Sequence, residues 1–240
     1  MSSLVVPGRF RGPAQSGNGG WTSGAVAALV DPVAPVEVTL RRPPPLDVPL
    51  TVEKVDGVTV VSQDGATVAE GRRVDAAPEP PAALSVPVAA AAEASYAGLV
   101  GHPFPTCFVC GTGRAEGDGL RIFPGMVSSD PAIAAATWTP HPSLADDTSP
   151  EHTTHAVTWA ALDCVSGWAS DIDERPMVLG RMTAVVHAPP RVGETHVVVG
   201  RWLATQGRKT LTSSGLYTAD GRLLAAASHV WFTVDPADFN

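Results

Sequence analysis

Two of the three cysteines lie in the segment "HPFPTCFVCG", residues 102–111, at a spacing used by metal ligands and by redox pairs. A structural zinc site needs four ligands, and His102 and Cys164 are the evident candidates to complete the pair formed by Cys107 and Cys110. A redox pair normally precedes a helix, whereas the residues that follow, "GTGRAEGDGLRIFPG", are typical of loop and turns. We therefore expect reduced, packed thiols and predict no metal, with a metal completed in space or redox chemistry as the alternatives.

Asp163 is the acid whose surroundings point most directly to chemistry. It lies in "HAVTWAALDCVSGWAS", residues 155–170, where apolar side chains at helical spacing form one face and Trp159, Asp163 and Ser166 fall on the other. A carboxylate on a short apolar helix is unfavourable unless it is hydrated, paired or used, and partial burial would raise its pKa. Such a group can act as a general base or as a nucleophile. A solvated or hydrogen-bonded acid on the exposed side of the helix is the alternative.

These residues belong to a weak internal repeat of a helix followed by antiparallel strands. In the first copy, the helix candidate "NGGWTSGAVAALV", residues 18–30, precedes a segment that alternates and breaks like a meander. In the second copy, residues 155–170 precede four strand-like runs, whose turn signals lie at Pro189, Gly193, Gly207 and Asp220-Gly221. One more strand is expected before each helix, in "LVVPGRFRG" and "AIAAATWTP". The repeat predicts two α+β units.

The repeat also divides the chain into two domains and a connector. We predict an N-terminal domain over residues 1–74 and a C-terminal domain over residues 131–240. Residues 75–130 begin with "AAPEPPAALSVPVAAAAEA", which is too irregular for a strand and too interrupted by proline for a helix. The cysteine pair falls inside this connector. We therefore expect it to mark the seam between the domains, and we place the chemistry on the helix that carries Asp163.

Composition restricts the classes of function. A hydrophobic share of 44% with 17% charged residues is typical of a globular protein. The net charge of -8 argues against a general nucleic-acid binder, which needs a basic face. No signal-peptide pattern opens the sequence and no apolar run is long enough to span a membrane, so we expect a cytoplasmic protein with no membrane partner. An odd number of cysteines agrees with a reducing compartment.

Residues 154–234 resemble a hotdog domain of the thioesterase superfamily. The resemblance is carried by a helix bearing "LDC", a strand ending in "PPRVGE", and the run "GRKTLTSSGLYTADGRLLAAASHVWF". Residues 1–74 resemble such a domain more loosely, and the connector "CFVCGTGRAEGDGLRIFPG" is similar to one in actinobacterial double-hotdog proteins. The implied fold is α+β: a double hotdog, in which two tandem units each wrap an antiparallel sheet around a central helix.

The resemblance also implies an activity, that of an acyl-CoA thioesterase-like hydrolase. One branch of hotdog thioesterases carries an H-G-G motif at the helix start and an aspartate nine residues after its histidine. Here Thr154, His155 and Ala156 occupy the motif, and Asp163 follows at that interval. The implied roles are Asp163 as general base or nucleophile and the backbone N–H groups near His155 and Ala156 as an oxyanion hole for the thioester carbonyl. No cofactor is implied.

The first copy lacks an equivalent acid but keeps the two glycines in "NGG". Because the site of a paired hotdog lies between its units, Asn18, Gly19 and Gly20 are expected to face the substrate that Asp163 acts on. A helix cap is the alternative role for Asn18. Trp159 and Ser166, near Asp163 on the second helix, complete the predicted substrate-binding residues.

Other functions stay open on the sequence. A non-catalytic binder of acyl-CoA or of another apolar small molecule would use the same fold. The segment "DTSPEH" resembles a motif of hotdog enoyl-CoA hydratases in the spacing of Asp147 and His152. The predicted partner is an acyl-CoA or related thioester, and a homo-oligomer is possible. Candidate contacts for the phosphates of the CoA tail are basic residues in turns, namely Arg114, Arg121, Arg208 and Lys209.

Overall fold

The computed structural model describes residues 2–238, which form three α-helices and thirteen strands. The helices are α1 (Gly19–Val30), α2 (Val86–Ala92) and α3 (His155–Trp168). In the first half the strands are β1 (Ser2–Val5), β2 (Val36–Leu40), β3 (Pro49–Val55), β4 (Val58–Gln63) and β5 (Ala66–Arg73). In the second half they are β6 (Gly125–Val127), β7 (Asp130–Trp138), β8 (Ala145–Asp146), β9 (Ser149–Thr153), β10 (Met177–Val186), β11 (His196–Gln206), β12 (Lys209–Thr218) and β13 (Leu223–Thr233).

Eleven of these strands form one antiparallel sheet in the order β1-β3-β4-β5-β2-β10-β13-β12-β11-β7-β6. Read outward from the centre, the first five strands of each half follow the same order, and β6 is an additional edge strand of the second half. β2 pairs with β10 to join the halves, with Thr39 opposite Arg181. β8 and β9 form a separate hairpin. The predicted α+β architecture of two similar units is confirmed.

Short-range sequence signals explain the first meander. Asp56-Gly57 and Asp64-Gly65 form its tight turns, and all four residues have positive φ, as two-residue hairpin loops require. Strand β3 buries alternate residues, so that one of its faces packs on the core while the other faces solvent.

The two long helices lie antiparallel against each other beneath the sheet. Asn18 caps α1 by accepting a hydrogen bond from the Trp21 N–H at 2.8 Å, and Thr154 caps α3 in the same way. The side chains of α3 are buried continuously from Val157 to Trp168, because the sheet covers one side of the helix and α1 the other. The helix therefore has no exposed side, and the alternative of a solvated Asp163 is wrong, since only 2% of this residue is exposed.

Glycines allow the helices to approach so closely. A Cβ on Gly20 would lie 2.5 Å from the Cβ of Asp163, and one on Gly24 would lie 2.8 Å from the Cα of Ala156. Residue 20 of α1 thus faces residue 163 of α3, and residue 24 faces residue 156, so the two helices run in opposite directions. As a result, the N-terminus of α1 reaches the second half of α3, and the N-terminus of α3 reaches the middle of α1.

The connector is more ordered than its proline content predicts. Residues Val86–Ala92 form α2, because Pro87 lies in the first turn, where its missing N–H is not needed. Strand β6 begins at Gly125, inside the segment assigned to the connector. The cysteine-containing part folds back onto the N-terminal half, with the Phe108 N–H donating to the Arg11 carbonyl at 2.7 Å. Within residues 2–238, no helix has the length and hydropathy to cross a membrane.

Candidate functional site

A cavity of about 270 Å³ opens where the N-terminus of α1 meets the second half of α3. Its polar wall consists of the start of α1 and Asp163, and the rest is largely apolar and aromatic. The apolar lining includes Phe104, Trp168, Ile172, Met177, Leu179, Trp231 and Phe232. A concave apolar space with a few converging polar groups is the usual form of a small-molecule site.

Asp163 is the buried acid of this cavity. Its Oδ2 accepts hydrogen bonds from the Asn18 amide Nδ2 at 3.0 Å and from the Gly20 backbone N–H at 2.9 Å. Its Oδ1 is buried and has no hydrogen-bond partner among residues 2–238. One oxygen is therefore fixed by the opposite helix, and the other is buried without a partner in the described structure.

Burial raises the pKa of Asp163 to about 7, against the lowering effect of the Gly20 N–H and the Asn18 amide. The positive end of the α1 dipole also favours the ionised form of Asp163, but this effect is smaller than that of burial. A carboxyl group with such a pKa is present in both protonation states near neutral pH. It can therefore both accept and return a proton.

Asn18 holds this arrangement together. Its Oδ1 caps α1, while its Nδ2 donates to Asp163 and lies 3.9 Å from the Sγ of Cys107. The next residue, Gly19, also lines the cavity, and its N–H donates to no acceptor within the described part of the chain. The free N–H at the first position of a helix is a suitable donor to a carbonyl oxygen.

Three thiols converge on the same cavity. Cys107 and Cys110 come from the connector and Cys164 from α3, and all three are free and buried. Their Sγ atoms lie within 4.8 Å of one another, and those of Cys107 and Cys164 are 3.7 Å apart. Cys107 and Cys110 therefore lie at the cavity itself, because the fold brings the connector to the helix that carries Asp163.

The environment of the thiols separates their acidities. Hydrogen bonds from the Cys110 and Cys164 thiols hold the pKa of Cys107 well below its ordinary value. Burial raises the pKa of Cys110, and donation to Cys107 raises the pKa of Cys164. Negative charge in the cluster is thus best accommodated on Cys107, next to the Asn18 amide.

The oxyanion hole predicted at the start of α3 lies away from the cavity. His155 and Ala156 do not line the cavity in the described structure; they meet α1 at Gly24, whose carbonyl lies 3.2 Å from the Nδ1 of His155. The physical reason is the antiparallel helix pair, which puts the N–H groups of α1 next to Asp163. Trp159 packs against Gly24 and fills the equivalent space at the other end of the helix pair.

Ser166 likewise has a structural environment. Its hydroxyl donates to the backbone carbonyl of Asp163 at 3.0 Å and accepts from the Trp231 indole N–H at 3.2 Å. It is fully buried and lies behind the cavity wall rather than on it. Of the predicted substrate-binding residues, Asn18 and Gly19 line the cavity and Gly20 donates to the Asp163 carboxylate, whereas Trp159 and Ser166 are not part of the cavity wall.

The hydratase-like motif is also remote from the cavity. Asp147 and His152 belong to the β8–β9 hairpin, where the Nδ1 of His152 lies 3.1 Å from the Ser149 hydroxyl. No residue of this hairpin lines the cavity within the part of the chain that is described. The spacing that suggested a catalytic pair is a local feature of a hairpin.

The predicted phosphate contacts also differ from those that the fold offers. Arg114 is buried and engaged with the Asp118 carboxylate and the Thr106 carbonyl. The cavity wall instead includes the exposed residues Arg41 and Arg42, directly after β2. The sequence signal for them was "LRRPPP", a pair of arginines where a strand ends at a proline corner.

Comparisons with known proteins agree with this architecture. No family profile and no curated protein matches the sequence. Among solved structures, a tesB protein of Mycobacterium avium subspecies paratuberculosis is 12% identical with a TM-score of 0.58, covering 93% of this chain and 89% of its own. A protein of unknown function with a hotdog fold, from Alicyclobacillus acidocaldarius, is 12% identical with a TM-score of 0.56, covering 98% and 93%.

Both similarities extend over nearly the whole of each chain, and at this identity they concern the fold alone. Together with the repeated strand order and the antiparallel helix pair, they identify this protein as a double hotdog.

Proposed function

We propose that the protein hydrolyses an acyl thioester in the cavity between α1 and α3. The observation that carries the proposal is the buried Asp163 in the cavity wall, with one carboxylate oxygen fixed by Asn18 and Gly20 and the other buried without a partner. A buried acid held next to a helix N-terminus provides both a base and a donor for the charge that develops on a carbonyl oxygen. Similarity to a tesB protein in fold agrees with this chemistry.

In the proposed reaction, Asp163 acts as a general base. Its Oδ1 takes a proton from a water molecule while the water oxygen attacks the thioester carbon. The carbonyl oxygen becomes negatively charged and is held by the Gly19 N–H and the α1 dipole. When the tetrahedral intermediate collapses, the C–S bond breaks and the leaving sulfur takes the proton back from Asp163. The products are a carboxylic acid and a free thiol.

Direct attack by Asp163 is the variant of this mechanism. The carboxylate would then form an anhydride with the acyl group while the C–S bond breaks and the thiolate leaves, taking a proton from solvent. Water would open the anhydride in a second step, giving the carboxylic acid and the free Asp163 carboxylate. A single turnover in isotopically labelled water separates the two routes. A general base puts the label into the carboxylic acid product in the first turnover, whereas a nucleophile whose anhydride is opened at the Asp163 carbonyl delivers an oxygen of its own and leaves the label on Asp163.

The cavity limits the acyl group. A cavity of about 150 Å³ holds a benzene ring, so a volume of about 270 Å³ accepts a short or aromatic acyl chain. The aromatic side chains of Phe104, Trp168 and Trp231 match such a group. At the open side, Arg42 makes no ion pair with the described residues and is free to bind a phosphate of a CoA tail.

Hydrolysis and binding should be measured side by side on CoA thioesters of short, long and aromatic acids. Thiol release reports turnover, and calorimetry reports binding. We expect turnover that is highest for short or aromatic acyl groups. Tight binding without turnover for every thioester would replace the hydrolase by a non-catalytic binder of acyl-CoA.

A further inference from the structure

The thiol cluster has the geometry of a metal site. Zinc–sulfur bonds of about 2.3 Å in a tetrahedron place neighbouring sulfur atoms about 3.8 Å apart. The Cys107 and Cys164 Sγ atoms are 3.7 Å apart, and all three Sγ atoms fall within 4.8 Å. The three thiols therefore already occupy positions close to one face of a zinc tetrahedron, and small side-chain rotations are enough to complete it.

The backbone around the pair also suits a metal. The C-x-x-C spacing of Cys107 and Cys110 recurs in zinc sites, where a tight turn points both thiolates to one side. Here the turn is closed by the Gly111 N–H, which donates to the Cys107 carbonyl at 2.9 Å. A Cβ on Gly111 would lie 2.5 Å from the carbonyls of Cys107 and Pro105, so only glycine fits this turn.

The third thiol comes from a rigid element. Cys164 is on α3, whose position is set by the sheet and by α1, and it follows Asp163 directly. Cysteines distant in sequence thus meet through the fold, which is how a structural pair becomes a three-ligand site. Soft thiolates select zinc and similar soft or borderline cations over magnesium or calcium.

The neighbouring histidine is not placed to be the fourth ligand. The Nδ1 of His102 accepts a hydrogen bond from the Phe104 N–H at 2.9 Å, so a neutral ring carries its proton on Nε2 and has no lone pair there. Within the described residues, the cluster of possible ligand atoms contains the three cysteines and no histidine or carboxylate. All three cysteines belong to the wall of the cavity.

We infer that Cys107, Cys110 and Cys164 bind one zinc ion, with the fourth coordination position open to water or to a ligand in the cavity. Binding replaces three thiol protons by the metal, and the resulting group carries one net negative charge. The Asn18 amide, 3.9 Å from the Cys107 Sγ, helps to stabilise that charge. The inference depends on the thiol geometry and not on the proposed hydrolysis.

The test is metal stoichiometry on the full chain purified under reducing conditions without chelators. We expect about one zinc per chain by elemental analysis. After the metal is removed, Co²⁺ titration should give thiolate-to-cobalt charge-transfer absorption that saturates at one equivalent and disappears when one equivalent of Zn²⁺ is added. Each of Cys107→Ser, Cys110→Ser and Cys164→Ser should weaken or abolish this absorption.

His102→Gln is the matched control, because it alters a neighbour of the cluster without removing a sulfur, and it should keep the stoichiometry. If a serine variant does not fold, thiol reactivity of the wild-type protein replaces it. Chelation should then increase the rate at which the three thiols are modified. A wild-type protein that holds no zinc and shows no saturable cobalt absorption would overturn the inference. So would cobalt absorption that persists in folded Cys164→Ser, thiol reactivity that chelation leaves unchanged, or a stable disulfide between two of these cysteines in the reduced preparation.

Discussion

The contact between Gly20 and Asp163 gives a sharp test of the site. In Gly20→Ala, the new Cβ would lie 2.5 Å from the Asp163 Cβ and 3.0 Å from its Oδ2, so the carboxylate must move or rotate. Crowding a packed interior costs about 1–3 kcal/mol, and the higher helix propensity of alanine offsets about 1 kcal/mol of that. We therefore expect a net loss of stability of at most about 2 kcal/mol, measured by urea unfolding.

The effect on hydrolysis should be larger than the effect on stability. Misplacement of a catalytic group by about 1 Å can cost about a hundredfold in rate, so we expect kcat of Gly20→Ala to fall by roughly that factor. The measurement is thiol release from the best acyl-CoA substrate at saturating concentration.

Gly71→Ala is the matched control. Its Cβ would lie 2.9 Å from methyl groups of Val26 and Val30, which crowds α1 far from the acid. We expect a similar loss of stability with kcat within about threefold of wild type. Equal losses of kcat in the two variants, or an unchanged kcat in Gly20→Ala, would refute the role given to the position of Asp163.

Three further predictions concern the surroundings of the site and the core. Asn18→Ser keeps a capping oxygen for α1 but removes the amide donor to Asp163, so kcat should fall at least about tenfold while the helical circular dichroism is unchanged. Arg42→Ala should raise KM for acyl-CoA about tenfold and leave KM unchanged for a truncated thioester without phosphates. His229 lies between Met182 and Thr212 of the neighbouring strands, and burial lowers its pKa to about 3. Because the unfolded chain then binds one more proton between pH 6.5 and 3, stability should decline as the pH falls through that window, by roughly 2–3 kcal/mol at pH 4.5. Urea unfolding at pH 7 and 4.5 should show this loss reduced in His229→Gln and kept in the exposed-site variant His187→Gln.

Local features of the fold were predictable from local signals. The predicted helices at 18–30 and 155–170 match α1 and α3 closely, since a capping residue, an apolar run and a following turn are all present in the sequence. Helix α2 is not evident from the sequence, because proline normally interrupts a helix, whereas Pro87 lies in the first turn, where proline is tolerated.

The hydrogen-bond partners of Asp163 were only partly predictable from the sequence. The resemblance predicts that the "NGG" segment faces the substrate of Asp163, but it places the oxyanion hole at His155 and Ala156, on the helix of the acid itself. The antiparallel packing of α1 on α3 instead supplies Asn18 and Gly20, which is a property of the tertiary structure.

The thiol cluster required the same kind of information. Cys107 and Cys110 were recognisable as a pair, and Cys164 was a possible addition. Only the folded connector brings the three sulfur atoms within 4.8 Å. The cavity-lining residues Arg41 and Arg42 precede the proline corner of the first repeat. The sequence has a proline corner in each repeat, and it does not show which of the two borders the cavity.

The most direct test of a hydrolase built on Asp163 compares the wild type with Asp163→Asn on the best acyl-CoA substrate. The amide has the same shape, and it can still accept a hydrogen bond from the Gly20 N–H, so the variant should fold. General-base catalysis contributes about 10²–10⁴-fold, and we expect kcat to fall by a factor in that range with substrate binding retained. An Asp163→Asn variant that turns over within about threefold of the wild type would contradict the assignment.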